Sequence, residues 1–188
     1  MRWAITAGLA ATLAVAGCSA EDQTPPPAPF ALTEDALGRY CGMNVLEHPG
    51  PKGQVILGQI PEPIWFSSAR DAVAFTMMPD EPKAIAAIYV SDMGSAASWD
   101  TPGAENWVDA KVAYFVIESS RRGGMGAMET VPFSSETSAR AFADANGGQV
   151  VRFPDIPVDY VLGSLGDDNA TGSVGAGPFT SSGAQTGE

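Results

Sequence analysis

The sequence predicts an α+β fold made of two pseudo-symmetric ββαβ units. The segment Phe-Ser-Ser of residues 66–68 recurs at residues 133–135, and Phe75 recurs at the same spacing as Phe142. Around each copy, short runs rich in β-branched and aromatic residues flank one helix-like segment, as strands flank a helix. An internal repeat of this kind indicates the architecture, and two copies are too few for a solenoid.

The first unit is expected over residues 37–97. Serine at residues 67–68 precedes the helix-like segment of residues 70–75, and serine is a preferred residue at the N-terminal cap of a helix. Pro79 ends the helical region. The strands of this unit are predicted at residues 54–58, 63–66 and 85–90.

The second unit is expected over residues 98–160. Serine at residues 134–135 precedes a helix predicted over residues 136–146, and the glycine pair at residues 147–148 ends that helix in the usual way. The strands of this unit are predicted at residues 110–117, 129–133 and 149–153. The first of these is long and rich in β-branched residues, which is typical of a buried strand.

Residues 1–17 are predicted to be a signal peptide that is removed. An apolar run follows Arg2 and ends in Val-Ala-Gly-Cys at residues 15–18. This tetrapeptide resembles the lipobox of bacterial lipoproteins, which implies a lipid attached to Cys18 and a membrane-anchored protein in the periplasm. Ser19 favours the outer membrane over the inner membrane, because Asp in its place would resemble an inner-membrane retention signal.

Two further segments are expected to lie outside the two ββαβ units. Residues 18–36 contain a run of prolines and a further one at Pro29, which favours an extended linker between the lipid and the folded part. Residues 161–188 consist mainly of Gly, Ser, Thr and Asp, with few apolar side chains to form a core. They are predicted to be a disordered tail.

Charge and cysteine content narrow the possible functions. The chain has a formal net charge of −12 and no basic patch that could neutralise phosphates, so nucleic-acid binding is excluded. The chain has two cysteines, and lipidation of Cys18 leaves Cys41 as the one free thiol. A disulfide within the mature chain is then impossible. An unpaired cysteine in an exported protein indicates a reactive or metal-ligating residue.

Two short segments carry closely spaced sulfur atoms. Cys41 and Met43 are separated by one glycine, and two soft sulfur donors at this spacing suit Cu(I) above other metals. The segment Gly-Gly-Met-Gly-Ala-Met at residues 123–128 places Met125 between glycines, away from the irregular core gaps that methionine usually fills. We therefore predict a three-sulfur metal site made of Cys41, Met43 and Met125.

Several alternatives remain open at this point. Met128 could replace Met125, and His48, the one histidine in the chain, could act as an auxiliary ligand. In a thiol-dependent enzyme, Cys41 would instead be a nucleophile activated by His48, although no orienting carboxylate is evident. In a structural lipoprotein that only tethers partners without a metal, Cys41 would have no role.

Several motifs in combination resemble those of the NosL family. They are the lipobox, Cys-Gly-Met at residues 41–43, His-Pro-Gly-Pro-Lys-Gly-Gln at 48–54, Val-Ser-Asp-Met at 90–93, Trp-Val-Asp-Ala at 107–110, and the Gly-Met-Gly…Glu…Pro-Phe run at 124–133. The resemblance covers the stretch from residue 13 to residue 157, nearly all of the predicted folded part.

The resemblance implies a function. It implies two related ββαβ units similar to a domain of the organomercurial lyase MerB, and a Cu(I) metallochaperone rather than an enzyme. The implied partners are nitrous oxide reductase, whose copper sites receive the ion, and its maturation proteins. Cys41 and Met43 match the family's ligand pair, and Met125 matches the methionine of its later Met-Gly motif. Gly124 before that methionine and Ala127-Met128 after it depart from the family's pattern.

Overall fold

The structure is a computed structural model that describes residues 25–163. The predicted signal peptide, the predicted lipidation site Cys18 and residues 164–188 of the predicted tail lie outside this range. Between residues 25 and 163, no helix is both long enough and apolar enough to cross a membrane.

Seven strands and three α-helices make up the described part of the chain. In chain order they are β1 (Gly53–Leu57), β2 (Ile64–Phe66), α1 (Ala69–Met77), β3 (Ile85–Ser91), β4 (Trp107–Asp109), β5 (Tyr114–Ile117), β6 (Val131–Phe133), α2 (Glu136–Asn146), β7 (Gln149–Arg152) and α3 (Val158–Leu162). Short 3-10 turns lie at Val45–Glu47 and Phe153–Asp155.

The strands form two antiparallel sheets with related connections. The strand order is β2-β1-β3-β4 in the four-stranded sheet and β6-β5-β7 in the three-stranded sheet. In both sheets the first strand of the unit lies between the second and the third strand of that unit, and a helix connects the second strand to the third. This shared topology confirms the predicted α+β fold of two ββαβ units.

The helix boundaries follow from the residues at their ends. Ser68 caps α1, with its Oγ accepting the backbone N–H of Asp71 at 3.4 Å. Ser135 occupies the same place before α2 but makes no side-chain cap hydrogen bond. Gly147 and Gly148 follow α2 with φ values of 73° and 98°, where a residue with a Cβ would be strained.

The prediction of one strand over residues 110–117 is wrong at the start of that strand. Trp107–Asp109 forms β4 and pairs with β3 of the first sheet, whereas β5 begins only at Tyr114. The chain turns between these two strands. A hydrogen bond of 3.0 Å from the backbone N–H of Ala113 to the carbonyl oxygen of Asp109 closes the turn. A stretch assigned to the second unit therefore extends the sheet of the first.

The two units share one main hydrophobic core. Phe66 and Phe75 of the first unit meet edge to face, with ring centroids 5.5 Å apart, and both are fully buried. Phe115 and Ile117 of β5 pack into the same cluster, as does Val161 of α3. Each such side chain contributes about 1.5–3 kcal/mol when buried. This cluster therefore joins the two units, while a smaller buried cluster of Val116, Val131, Phe133 and Ala139 belongs to the second unit.

The segment predicted as a linker is partly packed onto the first sheet. Gln54, fully buried in β1, accepts the backbone N–H of Phe30 and donates to its carbonyl oxygen, both at 2.9 Å. The hydroxyl of Tyr89 donates to the carbonyl oxygen of Pro27 at 2.7 Å. Two apolar side chains of the segment are also buried, Leu32 and Ala36. From Pro27 onwards, this segment is part of the fold rather than a free spacer.

Replacing Gln54 with Ala is expected to release this segment. The change removes two buried hydrogen bonds and should lower the free energy of unfolding by about 2 kcal/mol. Amide hydrogen exchange at Phe30 should rise, since its N–H loses its acceptor. Gln149→Ala is the control, because Gln149 is exposed at the start of β7. Unchanged protection of Phe30 in the Gln54 variant would contradict the assigned contact.

Candidate metal centre

Cys41 and Met43 lie on a tight loop that precedes β1. Residues 37–44 form this loop, and an antiparallel β-bridge joins its two ends. The backbone N–H of Gly38 donates to the carbonyl oxygen of Met43 at 2.9 Å, and that of Gly42 donates to the carbonyl oxygen of Gly38 at 2.8 Å. Gly42 has a φ of 65°, which glycine adopts readily, so it allows the chain to turn between the two sulfur-bearing residues.

The thiol of Cys41 is partly exposed and lies against the body of the protein. Its Sγ is 3.4 Å from Oγ of Ser67 and 4.0 Å from the carbonyl oxygen of Met43. Gly38 lies on another side, where an added Cβ would come within 2.6 Å of the sulfur. The side chain of Met43 is 40 % exposed. The loop therefore holds both residues in place while leaving their sulfur atoms open to an incoming ion.

Met125 lies on a small hairpin that connects β5 to β6. Arg122 and Met128 pair across the base of this hairpin, and the backbone N–H of Gly123 donates to the carbonyl oxygen of Ala127 at 3.0 Å. Met125 is 52 % exposed, whereas Met128 at the base is partly buried. Of the two methionines, Met125 is thus the more accessible to a metal ion.

The Met125 hairpin touches the segment that follows the Cys41 loop. Gly124 packs on the backbone of His48 and Pro49, so closely that an added Cβ would lie 2.5 Å from Cβ of His48 and 2.9 Å from the carbonyl oxygen of Pro49. His48 directly follows the 3-10 turn that leaves the Cys41 loop. The structure therefore brings the Met125 hairpin against the segment that continues from Cys41 and Met43.

A buried lysine lies beneath this junction. Lys52 is 1 % exposed, and its Nζ donates to the carbonyl oxygen of His48 and, at 3.5 Å, to that of Ser67. Burial penalises the ammonium group and lowers the pKa of Lys52 to about 8. Attraction from Glu129 and Cys41 opposes this shift. Lys52 thus adds positive charge close to the thiol.

A buried glutamate lies at the base of the Met125 hairpin. Oε1 of Glu129 accepts from the hydroxyl of Ser68 at 3.2 Å and from the backbone N–H groups of Arg70 and Thr130 at 2.8 and 2.9 Å. Its Oε2 lies against Gly123 and has no hydrogen-bond partner in residues 25–163. Burial raises the pKa of Glu129 to about 7, although the three donors act to lower it.

Neither Lys52 nor Glu129 stands out in the sequence as a residue of the site. Each lies at or near the start of a strand, and charged residues at strand ends are normally solvated. Lys52 does lie within the His-Pro-Gly-Pro-Lys-Gly-Gln motif, and this position is the one feature of the sequence that could have indicated its role.

The stability of the metal-free protein should depend on pH through Glu129. Between about pH 4.5 and 7, the folded protein keeps a proton on Glu129 that the unfolded chain has released. The free energy of unfolding should therefore fall by roughly 3 kcal/mol as the pH rises through this window. Urea unfolding at several pH values tests this. Glu129→Gln should lack this decrease, and equal pH slopes for the two proteins would contradict it.

The available donors fit a soft metal ion rather than a hard one. In the described range, no group of three or more His, Cys, Asp and Glu side chains converges on a point. The donors predicted from the sequence are the sulfur atoms of Cys41, which is partly exposed, and of Met43 and Met125, which are exposed, and such donors suit Cu(I). Nε2 of His48 is buried without a partner in this part of the chain, so the thiol–imidazole pair of the enzyme alternative is not formed.

The chain is similar to several known proteins of one family. The NosL family model matches residues 29–161. The copper-binding lipoprotein NosL of Achromobacter cycloclastes is 49% identical over 155 residues, which cover 82% of this chain and 80% of that protein. The copper-binding lipoprotein NosL of Stutzerimonas stutzeri is 34% identical over 128 residues, which cover 68% of this chain and 65% of that protein.

A solved structure has the same fold. The crystal structure of the copper chaperone NosL from Shewanella denitrificans superposes with a TM-score of 0.66 at 32% sequence identity. The match covers 70% of this chain and 97% of that one.

Proposed function

The chain belongs to the NosL family, and from this premise we propose that it is a lipoprotein that binds one Cu(I) ion and passes it on by ligand exchange. The observation that carries the proposal is the packing of Gly124, next to Met125, on His48 and Pro49, which follow the loop of Cys41 and Met43. Relatives named copper-binding lipoprotein and copper chaperone support the choice of cargo.

Each proposed ligand has a distinct part in binding and release. The thiolate of Cys41 carries a negative charge that neutralises Cu(I), so it supplies most of the affinity. Met43 and Met125 supply neutral thioethers, which bind the soft ion without adding charge. Because both methionines are about half exposed, a partner's sulfur or imidazole group can replace them one at a time. This exchange delivers the ion without releasing it into water.

The proposed destination is the set of copper sites of nitrous oxide reductase. Family membership supports this assignment, together with docking to the maturation proteins of that enzyme. The lipid on Cys18 would anchor the protein at the periplasmic face of a membrane, and Ser19 favours the outer membrane. In this role the protein binds and transfers an ion and catalyses no reaction of its own.

A Cu(I) titration against a competing chelator tests the proposal under anaerobic conditions. One equivalent should bind, and X-ray absorption at the copper edge should show three sulfur neighbours. Met125→Ala should raise the Kd by about tenfold or more, since changes near metal ligands commonly cost that much. Met128→Ala is the matched control and should leave the sulfur number at three. The proposal fails if the wild-type protein binds no Cu(I). If instead Met128→Ala raises the Kd and lowers the sulfur number while Met125→Ala changes neither, Met128 rather than Met125 is the ligand.

A further inference from the structure

We propose that Lys52 is a positioning residue of the copper site, whose buried ammonium group ties the Cys41 side of the site to the Met125 side. This inference rests on the proposed function and adds a residue that touches no sulfur atom. Lys52 is among the largest fully buried side chains in residues 25–163.

The first contact of Lys52 leads to Cys41. Its Nζ donates to the carbonyl oxygen of Ser67 at 3.5 Å, and Oγ of the same Ser67 lies 3.4 Å from Sγ of Cys41. Ser67 therefore connects the ammonium group to the thiol across one residue. The positive charge of Lys52 also attracts the thiolate that would bind the metal.

The second contact of Lys52 leads to Met125. Its Nζ also donates to the carbonyl oxygen of His48, and Gly124 packs directly on His48 and Pro49. Any shift of the His48 carbonyl would move the surface on which Gly124 rests, and with it the neighbouring Met125. The two contacts of a single ammonium group thus fix the separation between the thiol and the thioether.

The free-energy cost of burying the ammonium group of Lys52 indicates that its hydrogen bonds have a functional role. An ammonium group removed from water loses several kcal/mol of hydration unless other groups replace it. No carboxylate within the described chain lies within 4.0 Å of its Nζ, and two carbonyl oxygens from separate loops act as acceptors. An apolar side chain at this position would fill the space at less cost but would lack the hydrogen bonds to His48 and Ser67.

Lys52→Met tests the proposal, because methionine fills similar volume without donating hydrogen bonds. The Kd for Cu(I) should rise by about tenfold or more, and X-ray absorption should show fewer than three sulfur neighbours in the folded protein. Lys111→Met is the matched control, since it removes the same charge from an exposed turn and should change neither quantity. Thermal unfolding of both metal-free variants separates a loss of stability from a loss of geometry.

The outcomes also separate this proposal from the proposed function. If wild type binds one Cu(I) through three sulfurs and folded Lys52→Met does the same with equal Kd, the role of Lys52 is refuted while the function stands. If Lys52→Met does not fold, Ser67→Ala removes the Oγ contact with Cys41 and Gly124→Ala disturbs the packing on His48, while both carbonyl acceptors of Lys52 stay in place. A raised Kd with a lost sulfur in either variant supports the proposal, and wild-type values in both overturn it.

Discussion

Cys41→Ser is expected to abolish tight Cu(I) binding. The substitution replaces a thiolate by a neutral hydroxyl, which is a hard donor that Cu(I) binds poorly. Even changes to residues behind metal ligands cost about 10- to 100-fold in affinity, so losing the charged ligand itself should raise the Kd by more than about 100-fold. Anaerobic competition with a Cu(I) chelator measures this difference directly.

The fold should survive this change. Cys41 is partly exposed, and serine retains a group that can contact Oγ of Ser67. Met93→Leu is a suitable control, because Met93 packs against the core of the second unit and takes no part in the proposed site. Met93→Leu should bind Cu(I) with the wild-type Kd. Full stoichiometric binding by Cys41→Ser would remove the basis for the proposed function.

Glu129→Ala is expected to lower the free energy of unfolding by about 3 kcal/mol, at roughly 1 kcal/mol for each of the hydrogen bonds that it removes. Oε1 of Glu129 accepts three hydrogen bonds, from Ser68, Arg70 and Thr130. Two of these donors belong to the N-terminus of α1 in the first unit, whereas Glu129 precedes β6 in the second. The substitution therefore breaks a direct link between the units and leaves buried donors without an acceptor.

Urea unfolding of metal-free protein at pH 7 measures the loss. Glu136→Ala is the matched control, because Glu136 lies on the surface of α2 and, among residues 25–163, forms an ion pair only with Arg140 one turn later. An exposed pair of this kind contributes about 0.3–0.5 kcal/mol. If the two variants lost similar amounts of stability, the buried network around Glu129 would not hold the units together.

The repeated pattern made the architecture predictable. Each helix in the repeat follows a Phe-Ser-Ser segment between two strands, and periodicity together with capping residues is sufficient to place such elements. The boundary at β4 was not predictable in the same way. Trp107–Asp109 continues into an apolar run, and only the pairing with β3 reveals that the strand ends at Asp109. That pairing joins distant parts of the chain, so local sequence does not specify it.

The candidate site was partly predictable for a similar reason. Cys41, Met43 and Met125 stand out because sulfur donors in glycine-containing loops are unusual in any single sequence. The contact of Gly124 with His48 depends on how the two units pack, which no local pattern encodes. The burial of Lys52 could not be predicted for the same reason. A lysine before a strand is usually solvated, and only the tertiary structure shows that this one is buried.

The packing of residues from Pro27 onwards against the first sheet would limit how far the proposed copper site could move from a lipid anchor at Cys18. With Cys18 anchored as proposed, only the residues between Cys18 and Pro27 can act as a tether. At 3.3–3.6 Å per residue, a fully extended tether of this length spans roughly 30 Å. The protein would therefore search a thin layer next to the bilayer rather than the whole periplasm. A recipient held in the same layer would meet it at a high effective concentration, whereas a freely diffusing recipient would gain no such advantage.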